Sequence, residues 1–191
     1  MSRATLKLGN ILIKHGLLNK EELKQILSAQ QIFGGRIGTN TVNLNLLTVD
    51  QVSKALALQK GVPEATQELF LKADPRALNA ISPEMCSKYR VFPLHLQGRV
   101  LHLAMRDPDS LILIDEISFS LGMRIRPYVV PELRLAYYLE KHYEVPRERH
   151  LQAYIDVAGS SQPPPGSGRQ DRVTTTGRSN LPRRGSNVGW P

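Results

Sequence analysis

The chain has 191 residues and carries 25 Lys and Arg against 17 Asp and Glu, a formal net charge of +8. Residues 159–191 contain five Arg and one Asp, so half of this excess lies in the last 33 residues. The preceding residues are only mildly basic, which disfavours a nucleic-acid-binding fold. The sequence has no run of 18 apolar residues, and we expect neither a transmembrane helix nor a signal peptide. Because Cys86 is the only cysteine, intrachain disulfides and Cys-rich zinc sites are excluded, and we expect a cytoplasmic protein.

The first 60 residues contain an internal repeat. Residues 7–30 read KLGNILIKHGLLNKEELKQILSAQ, and residues 36–59 read RIGTNTVNLNLLTVDQVSKALALQ. Both segments have 24 residues, and five residues, 31–35, separate them. Equivalent positions hold the same kind of side chain, which indicates two copies of one structural unit.

Each unit predicts a short helix, a turn and a longer helix. In the first unit Leu8, Ile11 and Leu12 share one helical face, and Gly16 ends that helix. Asn19 with Glu22 three residues later has the spacing of a capping box at the start of the second helix.

The longer helices of the two units have matching apolar faces. The second unit repeats the cap with Thr48 and Gln51. The predicted faces are Leu23, Ile26, Leu27 and Gln30 in the first unit, and Val52, Ala55, Leu56 and Gln59 in the second. We expect a four-helix subdomain over residues 1–62.

Both units begin with a basic residue, an apolar residue and a glycine: Lys7 to Gly9 and Arg36 to Gly38. The glycines would permit close packing of helices, and they would equally permit a ligand to approach the backbone. The basic side chains would supply charge to a phosphate or to a guanine edge. A duplicated half-site suits a ligand that is itself two-fold symmetric.

This tandem pattern resembles the MshEN-type domain found at the N-terminus of ATPases that drive type II secretion and type IV pilus assembly. In that family each motif binds half of a cyclic di-GMP molecule. The resemblance implies the following ligand-binding residues: Lys7, Leu8, Gly9, Leu12, Gly16, Leu17, Leu23, Leu27, Gln30, Arg36, Ile37, Gly38, Val42, Leu46, Val52, Leu56 and Gln59. The chain departs from the family pattern at Lys7, where Arg is expected, at Thr41, where an apolar residue is expected, and at Asn45, where Gly is expected.

The segment 63–146 predicts a second, α/β subdomain. Short helices are expected over 75–79 and 82–89, with Ser82 as N-cap, followed by strands over 91–96 and 100–105 joined by a hairpin turn. A helix over 111–121, a strand over 124–130 and a helix from Pro131 to Tyr143 complete the order ααββαβα. The fold class is therefore α+β, with a four-helix repeat followed by a small sheet covered by helices.

This second segment resembles the second N-terminal subdomain of the same ATPases. The residues that carry the resemblance are ISPEMCSKYRVFPLHLQGRVLHLAMRDPDS and SFSLGMRIRPYVVPELRLAYYLEKHY. Together the two resemblances cover about residues 7–144.

The remaining residues predict a linker or helix extension over 147–158 and a disordered tail over 159–191. In that tail Gly, Pro and Ser make up 16 of 33 residues. We interpret it as a solvated tail, and its Trp190, the only tryptophan of the sequence, leaves a short docking element as an alternative. Arginines in the tail leave nucleic-acid binding as a third interpretation, but stacking aromatics and an established motif are missing.

The sequence has no phosphate-binding loop of the form G-x-x-x-x-G-K-[ST] and no catalytic or metal-binding constellation. We therefore expect a stand-alone, non-catalytic module that binds cyclic di-GMP, with no metal and no ATP, and signals to bacterial pilus, secretion or motility proteins. We expect no transmembrane segment, and membrane association only through such partners. The alternative is a ligand-free interaction module that docks on a secretion or pilus platform or on an ATPase.

Overall fold

The structure, a computed structural model, describes residues 7–148 and residue 151. The predicted tail over 159–191 and most of the predicted linker lie outside the described residues. Four helices form the first half of the fold, and they are α1 (Leu8–Lys14), α2 (Lys20–Phe33), α3 (Ile37–Asn43) and α4 (Val49–Lys60). The second half contains α5 (Gln67–Leu71), α6 (Pro75–Asn79), α7 (Pro83–Tyr89), β1 (Val91–Gln97), β2 (Val100–Met105), α8 (Leu111–Leu121), β3 (Arg124–Val129) and α9 (Glu132–Tyr143). The α+β fold class is confirmed, and the division into subdomains stays a prediction.

The two repeats fold in the same way down to single hydrogen bonds. The amide of Leu17 donates to Leu12 O at 2.9 Å, and the equivalent amide of Leu46 donates to Thr41 O at 3.1 Å. Gly16 and Asn45 both have positive φ, 67° and 55°. Asparagine tolerates this left-handed conformation, so the turn of the second repeat survives the departure from glycine.

Capping fixes where the longer helices begin. Asn19 and Glu22 form the predicted capping box, in which each side chain accepts a hydrogen bond from the other's backbone amide at 2.8 Å. Thr48 and Gln51 form the same box at the start of α4. These contacts satisfy amides that a helix start otherwise leaves unpaired.

The sheet has the strand order β1-β2-β3, in which β1 and β2 form an antiparallel hairpin and β3 pairs parallel to β2. Helix α8 makes the crossover between the parallel strands. The segment between the two halves adds to this sheet, because the amide of Ala65 donates to Val129 O at 2.8 Å and that of Val129 donates to Pro63 O at 2.9 Å. The chain is therefore anchored to the sheet directly after α4.

Helix α9 contributes to two hydrophobic cores. Leu133 and Ala136 pack among the buried residues of α1 to α4. Leu135, Tyr138 and Leu139 face the sheet core, where the ring of Tyr138 stacks on Phe70 with centroids 4.4 Å apart. The final helix thus holds the helical repeat against the sheet.

Two sequence expectations need correction. Helix α5 was not predicted, because its five residues are too few to show helical periodicity. Leu27, placed on the buried face of α2, is 40% exposed, whereas Ile26 on the same helix is completely buried. A four-helix unit this small cannot cover the full width of each apolar stripe.

Burial raises the pKa of Cys86 to about 12. At pH 8 only about one thiol in ten thousand would then be ionised. We expect Cys86 to resist a disulfide reagent such as DTNB in the native protein and to react at once in urea. Stoichiometric labelling at pH 8 without denaturant would contradict this expectation.

We expect Gly38→Ala to destabilise the protein by about 1–2 kcal/mol, because a methyl group at this position would lie 2.8 Å from Cγ1 of Val52. Val52 is buried and β-branched, so it cannot turn aside. At Gly9 the methyl group would lie 2.8 Å from Cδ1 of Leu23, which is partly exposed and flexible. Gly9→Ala is therefore the matched control, and urea denaturation should show a smaller loss for it than for Gly38→Ala.

Candidate functional site

A cavity of about 360 Å³ lies between the two repeats and the second half of the chain. The first residues of each repeat, Lys7 with Leu8 and Arg36 with Ile37, line it and are called the repeat heads. The size of the cavity falls within the range typical of small-molecule sites. The nine predicted site residues that line it are Lys7, Leu8, Gln30, Arg36, Ile37, Gly38, Val52, Leu56 and Gln59. The cavity contains three repeat-equivalent pairs, namely Lys7 with Arg36, Leu8 with Ile37, and Gln30 with Gln59.

The other predicted site residues lie away from this cavity. Leu12 and Val42 are buried core residues, and Gly9 is in contact with Leu23. Five more do not line the cavity: Gly16, Leu17, Leu23, Leu27 and Leu46. Thr41, expected on the apolar surface of the motif, is instead completely buried, and its hydroxyl donates to Ile37 O at 2.7 Å. The hydroxyl therefore adds no polar group to the cavity.

Six residues of the cavity wall were not predicted from the sequence. Thr39 and Lys60 come from the repeat, and Arg106, Val130, Pro131 and Glu132 come from the second half. The four residues from the second half lie 47 to 125 positions from the predicted site residues, and no spacing rule of the repeat covers that separation. Thr39 and Lys60 directly follow the predicted residues Gly38 and Gln59.

Arg36 is bound by a carboxylate from the second half of the chain. Its Nη1 and Nη2 donate to Oδ1 and Oδ2 of Asp107 at 3.0 and 2.9 Å. Partial burial acts to lower the pKa of Arg36, but the hydrogen bond and charge of Asp107 raise it above its ordinary value. Partial burial likewise acts to raise the pKa of Asp107, and Arg36 and Arg106 outweigh it and hold that pKa below its ordinary value. Both groups are therefore charged at neutral pH.

Three more polar contacts lie at the cavity, and those of Thr39 and Lys60 join the two halves. Thr39 Oγ1 donates to Oε2 of Glu132 at 2.9 Å, and Nη1 of Arg106 donates to Oε1 of the same carboxylate at 3.1 Å. Lys60 Nζ lies 2.7 Å from Oδ2 of Asp109. Lys7 has no ion pair within the residues that the structure describes. Lys7 is therefore the cavity cation that is most available to a new anion.

An ion pair with one completely buried partner joins α4 and α9. The guanidinium of Arg134 is completely buried, and its Nη2 donates to Oδ1 of Asp50. Asp50 lies in the first turn of α4, where the helix dipole favours a negative charge. The Nε and Nη1 atoms of Arg134 have no partner within the described residues, so Asp50 is the principal compensation for this buried charge.

Within residues 7–148 and 151, no group of three or more His, Cys, Asp or Glu side chains is arranged to hold a metal ion. No helix in the same part of the chain is long and apolar enough to cross a membrane.

Comparisons with known proteins find relatives among pilus proteins. The MshEN domain family matches residues 61–149, which begin directly after the second motif. The type IV pilus assembly ATPase PilB of Myxococcus xanthus is 28% identical over 137 residues, covering 72% of this chain and 24% of that protein. PilB of Thermus thermophilus is 30% identical over 173 residues, covering 72% of this chain and 19% of that protein. The chain thus spans about a quarter or less of these relatives.

A solved structure of MshE with cdg, the abbreviation of cyclic di-GMP, has the same fold. It superposes with a TM-score of 0.57 at 24% identity, covering 72% of this chain and 99% of the MshE chain. The aligned part of that structure is therefore almost the whole of its chain.

We expect Asp50→Asn to cost about 3 kcal/mol of unfolding free energy, because it leaves the buried Arg134 without compensation. Asp107→Asn, the matched control, should cost less than about 1 kcal/mol because its ion pair with Arg36 is partly exposed. Urea denaturation of both variants measures the difference. Equal losses would contradict the assignment of Arg134 as the critical buried charge.

Proposed function

Because residues 61–149 match the MshEN domain family and the fold matches that of a solved structure of MshE with cdg, we propose that the chain binds cyclic di-GMP without catalysing a reaction. The ligand would occupy the cavity at the heads of the two repeats. The bound state would then be passed to pilus, secretion or motility proteins.

The observation that carries this proposal is the convergence of repeat-equivalent pairs on one cavity. Lys7 with Arg36 and Gln30 with Gln59 supply the same chemistry twice. Cyclic di-GMP is two-fold symmetric and has two guanines and two phosphates. A site that offers a basic side chain and an amide side chain in duplicate matches such a ligand better than it matches a mononucleotide.

The cavity walls suit the guanine rings. Leu8, Ile37, Val52 and Leu56 offer apolar surface for the ring faces. The amide side chains of the two glutamines combine donor and acceptor groups, which is the combination that a guanine edge requires. Gln30 Nε2 donates to Gly35 O at 2.9 Å, which leaves its amide oxygen to accept a hydrogen bond from a ligand.

The two basic heads would act differently in this complex. Lys7 is a point charge that suits a phosphate. Arg36 already uses Nη1 and Nη2 on Asp107. Its Nε–H and the flat face of its guanidinium remain, and that face can stack on a guanine ring. Asp107 would then hold the guanidinium in place for the ligand.

Ligand binding would also join the two halves of the chain. Arg106, Val130 and Pro131 line the cavity opposite the repeat heads. A ligand in contact with both walls favours arrangements in which the halves lie close together, and it therefore shifts that equilibrium. This shift is the signal that we propose for a partner protein.

A ligand-free interaction module remains the second candidate. Asp107 already neutralises Arg36, so the cavity has one charge fewer to attract a dianion. Helix α8 also exposes large apolar side chains of the kind that protein interfaces cover, including Ile112 and Phe119.

We expect isothermal titration to detect cyclic di-GMP binding and Arg36→Ala to weaken it by about 10- to 100-fold, the loss of a charge-assisted contact. Arg124→Ala, an exposed arginine on β3 that does not line the cavity, is the matched control and should bind like the parent. Leu56→Asp should weaken binding through the apolar wall, without involving the Arg36–Asp107 pair.

Two outcomes would contradict this proposal at different levels. Unchanged affinity in both Arg36→Ala and Leu56→Asp would contradict the site but not the ligand. The absence of heat and of any thermal shift at about 100 μM ligand would leave the interaction module as the better account, since a micromolar site would then be saturated.

A further inference from the structure

The outer face of α8 is apolar and has no partner within the described residues. Ile112 and Phe119, seven residues apart and so on the same side of the helix, are 83% and 92% exposed. The opposite side packs into the sheet core, where Ile117 is completely buried. Exposed apolar side chains two turns apart are typical of a surface that another segment covers.

Negative charge lies between these two side chains. Asp115 is exposed and has no ion pair or hydrogen bond in the part of the chain that the structure describes. Its neighbour Glu116 pairs with Lys88 and accepts a hydrogen bond from the Tyr89 hydroxyl. Helix α8 contains no Lys or Arg. An occupant of this face should therefore carry apolar groups at its two ends and positive charge between them.

The chain itself contains such a segment outside the described residues. Residues 181–190 read LPRRGSNVGW, with Leu181 at one end, Arg183 and Arg184 following it, and Trp190 at the other end. The segment has no acidic residue, and Trp190 is the only tryptophan of the protein. Tryptophan and arginine are the residue types most enriched at the energetic centres of interfaces.

Residues 146–148 contact the end of α7 that lies beside α8. Arg90 Nε lies 3.5 Å from Oε1 of Glu148, and Arg90 Nη1 donates to Pro146 O at 3.4 Å. Tyr89, the residue before Arg90, donates to Glu116 on α8 at 2.6 Å. Residues 146–148 therefore lie beside the end of α7 that contacts α8, and the last described residue, Leu151, is buried in the helical core.

The connecting chain is long enough to reach this face. Leu181 lies 30 positions after Leu151, and a stretch of 30 residues can span at most about 100 Å. A tether of this kind gives an effective concentration on the order of 1 mM. Docking therefore needs only a weak contact, which a ten-residue segment can supply.

We propose that residues 181–190 dock on the outer face of α8, with Leu181 and Trp190 against the apolar side chains of Ile112 and Phe119 and with the two arginines beside Asp115. A second copy of the chain fits this face less well, because two facing copies of α8 would bring four carboxylates together. The docking does not depend on cyclic di-GMP binding.

Trp190 reports directly on this contact, because its fluorescence is the only tryptophan signal of the full chain. We expect its emission maximum at shorter wavelength than that of a synthetic peptide of residues 177–191. Phe119→Asp should move the emission to the peptide value. Phe33→Asp replaces a phenylalanine that is 74% exposed at the end of α2, and as the matched control it should leave the emission unchanged.

Charge reversal tests whether the two arginines of the tail lie beside Asp115. Asp115→Arg, and separately the double change Arg183→Asp with Arg184→Asp, should each move the emission towards the peptide value. The combination of all three should restore much of the shift, since opposite charges then face each other again. Added salt should weaken the parent contact.

Three results would overturn the proposal. Emission of the parent chain equal to that of the peptide would mean that the tail is not docked. An equal response to Phe33→Asp and Phe119→Asp would mean that the tail contacts another surface. Loss of the shift on dilution to about 1 μM would mean that a second copy is the occupant, because an intramolecular contact is independent of concentration.

Discussion

The placement of the cavity walls depends on helix α9, which buries one face in the helical core and the opposite face in the sheet core. Leu133 and Ala136 lie in the helical core, while Tyr138 and Leu139 lie in the sheet core. Because both faces are covered at once, any turn of the repeat relative to the sheet exposes part of one of them, so a ligand that bridges the cavity adds to a preference that the two cores already set. The start of α9, with Glu132, is therefore held opposite the repeat heads. The buried pair of Arg134 and Asp50 fixes the same helix to α4.

Packing of the two halves pairs most of the basic side chains at the cavity with carboxylates. The excess of basic residues suggests a protein that attracts polyanions, yet the cations at the cavity are mostly matched by carboxylates. Arg36 pairs with Asp107, Lys60 with Asp109, and Arg106 with Glu132. The cavity is thus a nearly balanced polar site with apolar walls. Such a site selects a ligand by shape and hydrogen bonding more than by long-range attraction.

Local structure was largely predictable, because it depends on neighbours in sequence. The capping boxes, the turn at Asn45 and the bounds of α8 follow from residues within one or two turns of each other. The features that were predicted wrongly or not at all depend on length or on contacts between distant segments. Helix α5 is too short for a periodic pattern, and the exposure of Leu27 depends on how much neighbouring surface is available to cover it.

The sequence by itself determined the repeat, its helices and caps, and the presence of duplicated basic and glutamine positions. It could not determine which of the seventeen candidate residues share one cavity, because that depends on how the helices pack on each other and on α9. Nor could it find Asp107 as the partner of Arg36, since the two lie 71 residues apart. Periodicity and capping are short-range effects that sequence spacing records, whereas cavities and ion pairs between distant segments exist only once both cores have formed.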